Sequence, residues 1–135
     1  MTQKLTGMNL LAAQYHFQPI PTMDHERTLL IVDDEVDVCK LLRRALLKHF
    51  QRVECAHTLQ DGYAMAATFQ PDVILLDNNL PDGYGLDHIS KFKIVRQSTR
   101  IVMISAMDIR QEAIAAGADE FIGKPVDVQA LKAIA

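Results

Sequence analysis

Three short apolar runs constrain this chain more than any other feature. TLLIVD (residues 28–33) and DVILLD (residues 72–77) each close on an acid, and RIVMIS (residues 100–105) closes on a hydroxyl. Runs of this length without polar alternation predict strands buried on both faces, which require helices on either side of a sheet. The intervening segments supply them. Residues 35–49 repeat Val38, Leu42, Ala45 and Leu46 at helical spacing, with Lys40, Arg43, Arg44 and Lys48 elsewhere. Residues 58–69 open on Thr58 as an N-cap, with Asp61 three residues on as a weaker capping-box partner. Residues 86–96 place Leu86, Ile89, Phe92 and Val95 on one side, and residues 108–116 stop at Gly117, a natural left-handed C′ residue. Shorter strands are predicted at 52–56, where Val53 and Cys55 alternate with polar residues, and at 120–123, ended by Pro125. Residues 78–85, with Pro81, Gly83 and Gly85, form a turn-rich loop, and a final helix starts at Asp127. Five strands alternating with five helices predict an α/β fold with an open, doubly wound parallel sheet.

At 135 residues one domain is expected, placed at residues 28–135. Residues 1–27 carry few charges and include Pro19 and Pro21, so they are expected as a loosely ordered N-terminal extension, with a short docked helix near residues 8–17 as the other reading. A net charge of −3 argues against a dedicated nucleic-acid or anionic-membrane surface. No apolar run is long enough to span a bilayer, and no secretory pattern opens the chain, so a cytoplasmic domain is expected. Cys39 and Cys55 match no metal or redox spacing and are expected as free thiols in apolar surroundings. The five histidines (His16, His25, His49, His57, His88) lack ligand spacing and are expected at the surface.

In open parallel sheets, ligands bind beyond the carboxyl ends of the strands. Asp33, Asp34 and Glu35 follow the first strand, Asp77 ends the third, Ser105 ends the fourth, and Lys124 follows the fifth. Three carboxylates about 5 Å apart, at an effective dielectric near 20, repel by roughly 3 kcal/mol per pair, on the order of 10 kcal/mol together. That rivals the whole stability of a small domain, about 5–15 kcal/mol. Either some of these acids take up protons, or a divalent cation sits among them. With no His or Cys cluster, a hard oxygen-seeking ion fits, and Mg²⁺ suits sparse carboxylate ligation. A carboxylate beside such an ion and a lysine is arranged to attack phosphorus, and the inferred product is an aspartyl phosphate. Plainer roles exist for each residue: Asp33 or Asp34 as helix cap, Ser105 as a strand end, Lys124 as a solvated turn residue, Phe121 as core.

The acidic run Asp33–Asp34–Glu35, Asp77 after DVILL, LPDGYG (residues 80–85), Ser105–Ala106, Gly117–Ala118–Asp119 and Phe121 through Lys124–Pro125 together resemble the receiver domain of two-component response regulators. The resemblance implies a flavodoxin-like five-stranded sheet in the order 2-1-3-4-5. It implies Asp77 as the phosphoacceptor, served by a sensor histidine kinase or phosphotransfer protein. Asp34 and Asp77 would ligate Mg²⁺ directly, with the backbone carbonyl of Asn79 as a third ligand and Asp33 acting through water. Lys124 would contact the phosphoryl oxygens, Ser105 would close onto them, and Phe121 would change rotamer with Ser105. The Lys124–Pro125 bond resembles one that is usually cis.

Two departures stand out. The stretch from Ser105 to Gly117 is about one turn short, so a shortened fourth helix is expected. That weighs against the family's usual dimer face, although a phosphorylation-dependent dimer stays among the partner expectations. The fifth helix is expected to be truncated, with Leu131 and Ile134 near a frayed end and an output domain beyond Ala135. The functional expectation is a signalling domain that catalyses only its own phosphorylation and autodephosphorylation. Asn79 and Met107 flank the water route and would set the phosphoryl lifetime. Two rivals are a turnover enzyme built around an aspartyl intermediate, whose usual second Asp is here Asn79, and a phosphorylation-independent interaction module with the same fold.

Overall fold

In the computed structural model, residues 27–134 are described. The N-terminal extension expected at residues 1–27 therefore lies, but for its last residue, outside the described residues. Five strands, β1 (Thr28–Val32), β2 (Arg52–Ala56), β3 (Val73–Asp77), β4 (Arg100–Ser105) and β5 (Glu120–Gly123), form one parallel sheet in the order β2-β1-β3-β4-β5. This is the doubly wound order expected. Strand alternation divides the core in two. Leu30, Val32, Ile74, Leu76, Ile101 and Met103 face one side, while Leu29, Ile31, Val73, Leu75, Val102 and Ile104 face the other.

Helices α1 (Val36–Leu46) and α5 (Val128–Lys132) cover the second face. Helices α2 (Leu59–Phe69), α3 (Ile89–Val95) and α4 (Arg110–Ala115) cover the first. Helix α1 stops three residues before the expected end and turns at Leu47. The expected helix over 86–96 is divided: Gly85–His88 is a 3₁₀ turn, and only Ile89–Val95 is α-helical. The cause is local. The Asn78 carbonyl accepts from Gly85 N (2.8 Å) and its side-chain oxygen from Leu86 N (2.9 Å), which pins the chain here. The preceding loop also folds into a two-residue antiparallel ladder, Asn79–Leu80 against Gly83–Tyr84, that the sequence did not signal.

Caps agree better with the sequence. Thr58 accepts from Asp61 N at 3.0 Å, but the reciprocal partner is not Asp61. The Asp82 carboxylate, from the distant loop, accepts from Leu59 N (2.8 Å) and Gln60 N (3.0 Å). That bonding holds the Asp82 carboxyl below its ordinary range. Helix α4 is six residues long, as its shortening implied. It ends in a Schellman motif: Gly117 has φ +113°, its N–H reaches the Ile114 carbonyl, and Ala118 N–H reaches Ala113. Leu131 and Ile134 correct the frayed-end expectation, because both are buried in the second core face against α1 and the sheet. Among the described residues, no helix is long and apolar enough to cross a membrane.

Candidate functional site

Sheet register brings the sequence-predicted acids to one rim. Asp33 N still bonds the Ala56 carbonyl at 3.0 Å, so the chain is held in the sheet until the residue at which it turns. The Asp33 carboxylate then divides its work. Oδ1 accepts from Glu35 N at 2.9 Å and starts the turn into α1, while Oδ2 lies 3.9 Å from Lys124 Nζ. One side chain thus starts the turn and faces the site, but it is not the helix cap: the N-cap of α1 is Glu35, with no side-chain cap bond. Asp77, the last residue of β3, is buried; its Oδ1 lies 3.1 Å from Lys124 Nζ and accepts from Asn78 N at 3.0 Å. Asp34 is exposed, yet one oxygen from each of Asp33, Asp34 and Asp77 falls within 4.8 Å of the others. Glu35 also approaches Lys124 at 3.9 Å.

Three acids therefore approach one lysine, with Asp34 beside two of them, and the electrostatics show it. Burial pushes the Asp77 carboxyl above its usual range, and Asp34 adds to this, despite the opposing bonds from Lys124 and Asn78 N. Burial likewise raises Asp33, helped by the Asp77 charge. For Lys124, burial acts downward, but the Asp77 hydrogen bond and the charges of Asp77, Asp33 and Glu35 prevail and hold it above the usual lysine value. A set of three hard oxygen donors, two of them buried and made reluctant to ionise, fits a small divalent cation.

Ser105 ends β4, buried; its Oγ accepts from Met107 N at 3.0 Å, which leaves the O–H free to donate, and its carbonyl accepts from Lys124 N at 2.9 Å. Serine and lysine are thereby tied to the same strand end. Phe121 points into the first core face, buried, with the Arg110 guanidinium 5.2 Å from its ring centroid. Lys124–Pro125 is cis. Asn79 and Met107 are exposed at the rim.

Four positions were missed by sequence reasoning. A Cβ at Gly85 would lie 2.3 Å from the Asp77 carbonyl oxygen, so only glycine lets this loop pass beneath the acid. Asn78 bonds Asp77, Gly85 and Leu86 and so fixes the backbone on either side of the site. Its signal was only its adjacency to Asp77. His57 and His88, expected as surface groups, are partly buried and bonded: His57 Nδ1 lies 2.8 Å from the Asp33 carbonyl, and His88 Nδ1 meets the Tyr63 hydroxyl. His49 is partly buried too, and His16 and His25 lie outside the described residues.

A doubly wound parallel sheet in this order, with an acid cluster and one lysine at its carboxyl rim, places the domain in the class of flavodoxin-like α/β folds. Comparison with known sequences narrows it. The response regulator receiver domain matches residues 29–135, and the chain belongs to that family. It is 40% identical over 110 residues to the KDP operon transcriptional regulatory protein KdpE of Escherichia coli (strain K12), covering 78% of this chain and 48% of KdpE. The chain spans about half the length of curated relatives such as KdpE and RegA of Cereibacter sphaeroides. Among solved structures, a CheY-like receiver domain from Methanospirillum hungatei JF-1 superposes with a TM-score of 0.74 at 26% identity, over 81% of this chain and 90% of that one. A Burkholderia pseudomallei response regulator with a phosphorylated aspartic acid and a calcium ion shares the fold, with TM-score 0.75 at 23% identity, over 80% of this chain and 65% of that one.

Proposed function

We propose that this receiver domain takes a phosphoryl group onto Asp77 from a sensor histidine kinase or a histidine phosphotransfer protein, and that the modified rim switches an output. The observation that carries the reading is the Lys124 ammonium 3.1 Å from the buried Asp77, in a pocket where Asp33 and Asp34 converge. Asp34, Asp77 and the Asn79 carbonyl would hold Mg²⁺ directly, with Asp33 acting through water. Bound there, the ion would supply positive charge against the phosphoryl oxygens. The remaining work falls to the chain's own groups. An Asp77 carboxylate oxygen bonds to phosphorus as the bond from phosphorus to the donor's histidine nitrogen breaks, with the electron pair leaving on nitrogen. Lys124 neutralises charge on the transferring group. Ser105 donates its free O–H to a phosphoryl oxygen, and Phe121, on the neighbouring strand, repacks with it. Hydrolysis of the same bond resets the domain, and no other substrate is turned over.

The test is label transfer from a small phosphoramidate with and without Mg²⁺. The parent protein is expected to incorporate one acid-stable, base-labile phosphoryl group in a Mg²⁺-dependent manner, and Asp77→Ala none. Equal labelling of Asp77→Ala, or labelling indifferent to Mg²⁺, overturns the proposal. Failure of beryllofluoride with Mg²⁺ to perturb the amides near Ser105 and Phe121 would instead favour the phosphorylation-independent module.

A further inference from the structure

The two cysteines, 16 residues apart in sequence, meet in the fold on α1 and β2, where the Cys55 thiol donates to the Cys39 carbonyl at 3.8 Å. Cys39 is buried, with Sγ 3.4 Å from the Asp33 carbonyl and 3.8 Å from His57 Nδ1. Because a carbonyl oxygen only accepts, His57 Nδ1 carries a proton, donates to Asp33, and meets Cys39 sulfur as a donor. Cys55 is half-buried and opens onto a surface cavity of about 260 Å³ that Cys39, Lys40, Arg43, Glu54 and His57 also line. Both sulfurs thus face one cavity, Cys55 the more exposed of the two and Lys40 and Arg43 beside them. The neighbouring Cys39 thiol, with His57 and Arg43 close by, lowers the Cys55 thiol to about 7 against the burial that opposes it. The same pairing, and burial, push Cys39 up. Thiolate character with access is what makes a cysteine react.

We infer that Cys39 and Cys55 form an oxidation site at which a peroxide converts the two thiols into an intramolecular disulfide joining α1 to β2. The Cys55 thiolate attacks one oxygen of hydrogen peroxide; an S–O bond forms, the O–O bond breaks, and the departing hydroxide takes up a proton and leaves as water. Cys39 sulfur then attacks the Cys55 sulfenic sulfur. The S–S bond forms, the S–O bond breaks, and the hydroxyl leaves with the Cys39 proton as a second water. Two sulfurs lose two electrons, and the peroxide gains them. The S–H that the Asp33 carbonyl accepts is consumed, so the change registers at the residue that starts the acidic rim.

The experiment exposes the reduced 135-residue chain to hydrogen peroxide, with and without the sulfenic-acid trap dimedone, followed by non-reducing peptide mapping. Both thiols are expected to disappear together into one Cys39–Cys55 cross-linked peptide of monomeric protein. Cys39→Ala is expected to accumulate the dimedone adduct on Cys55, and Cys55→Ser to react with peroxide roughly ten-fold more slowly than the parent. Oxidation of the parent without that peptide, cross-links between chains, or a dimedone adduct on Cys39 overturns the inference. If Cys39→Ala does not fold, the peptide map of the parent still decides.

Discussion

The two ends of the sheet handle charge in opposite ways. At the amino end each acid has its own cation. Asp72 accepts from Thr28 N and pairs with Arg96 at 3.2 Å, Asp119 bonds Lys93 at 2.7 Å and Ile101 N at 2.8 Å, and Glu120 pairs with Arg100. Burial works to raise the Asp119 carboxyl, yet the Lys93 and Ile101 bonds outweigh it and hold it below the ordinary range. At the carboxyl end, Asp33, Glu35 and Asp77 share Lys124 with Asp34 close by, and the two buried acids are raised. Same residue types and same sheet, yet one end spends its charges on holding the strands, while the other keeps unmet negative charge for a ligand.

Neutralising an acid at one end should therefore differ in sign from neutralising one at the other, while the packing of the carboxyl rim is tested separately. The largest effect is expected from Gly85→Ala, whose Cβ cannot fit 2.3 Å from the Asp77 carbonyl; urea unfolding should show a loss of about 3 kcal/mol. A carboxyl rim that tolerated this change would not be as tightly built as described. Asp77→Asn should act the other way. In divalent-free buffer at pH 7 it is expected to stabilise the fold by on the order of 1 kcal/mol, because the charged carboxylate is disfavoured where it sits. The sign extends to pH. With folded values raised for Asp33 and Asp77, the folded state binds more protons, so the parent should gain stability as pH falls from neutral toward about 3.9, the unfolded value. The advantage of Asp77→Asn should shrink over that interval.

At the amino end, Asp119→Asn should destabilise by about 1 kcal/mol at pH 7, after allowance for solvent around a partly exposed pair. Its folded value is depressed, so the stabilisation of the parent is present above about 3.9 and is lost as pH falls through the folded value. Phosphoryl labelling of this variant should match the parent. If Asp77→Asn and Asp119→Asn shift stability in the same direction, the contrast between the ends fails. The smallest effect concerns kinetics alone. Met107→Glu, at an exposed rim position, should change the lifetime of the aspartyl phosphate several-fold while leaving the unfolding midpoint within about 0.5 kcal/mol of the parent. An unchanged dephosphorylation rate removes Met107 from the water route.

The strands and the helix faces were legible because apolar periodicity is a local property, while the strand order came from the family resemblance. TLLIVD and DVILLD read as buried strands, and residues 29–32 and 73–76 are buried. The site was half legible. Asp33, Asp77, Ser105 and Lys124 could be named from their places after strands, and the sheet assembles Asp33, Asp77 and Lys124. What could not be read were partners distant in sequence: Asp82 capping α2, Asn78 and Gly85 shaping the floor beneath Asp77, and His57 on the Asp33 carbonyl.

By itself, the order of residues determined a parallel α/β domain with acids at the carboxyl ends of its strands, since strand burial and topology follow from local pattern and handed crossovers. Only the tertiary structure decided how charge is shared. Whether a carboxylate is neutralised, capped or left raised depends on distances of 2.7 to 3.9 Å between groups from different strands and loops, and Coulomb and hydrogen-bond energies fall too steeply with distance to be read along a chain. The meeting of Cys39 and Cys55 was settled in the same way, by the packing of α1 on β2.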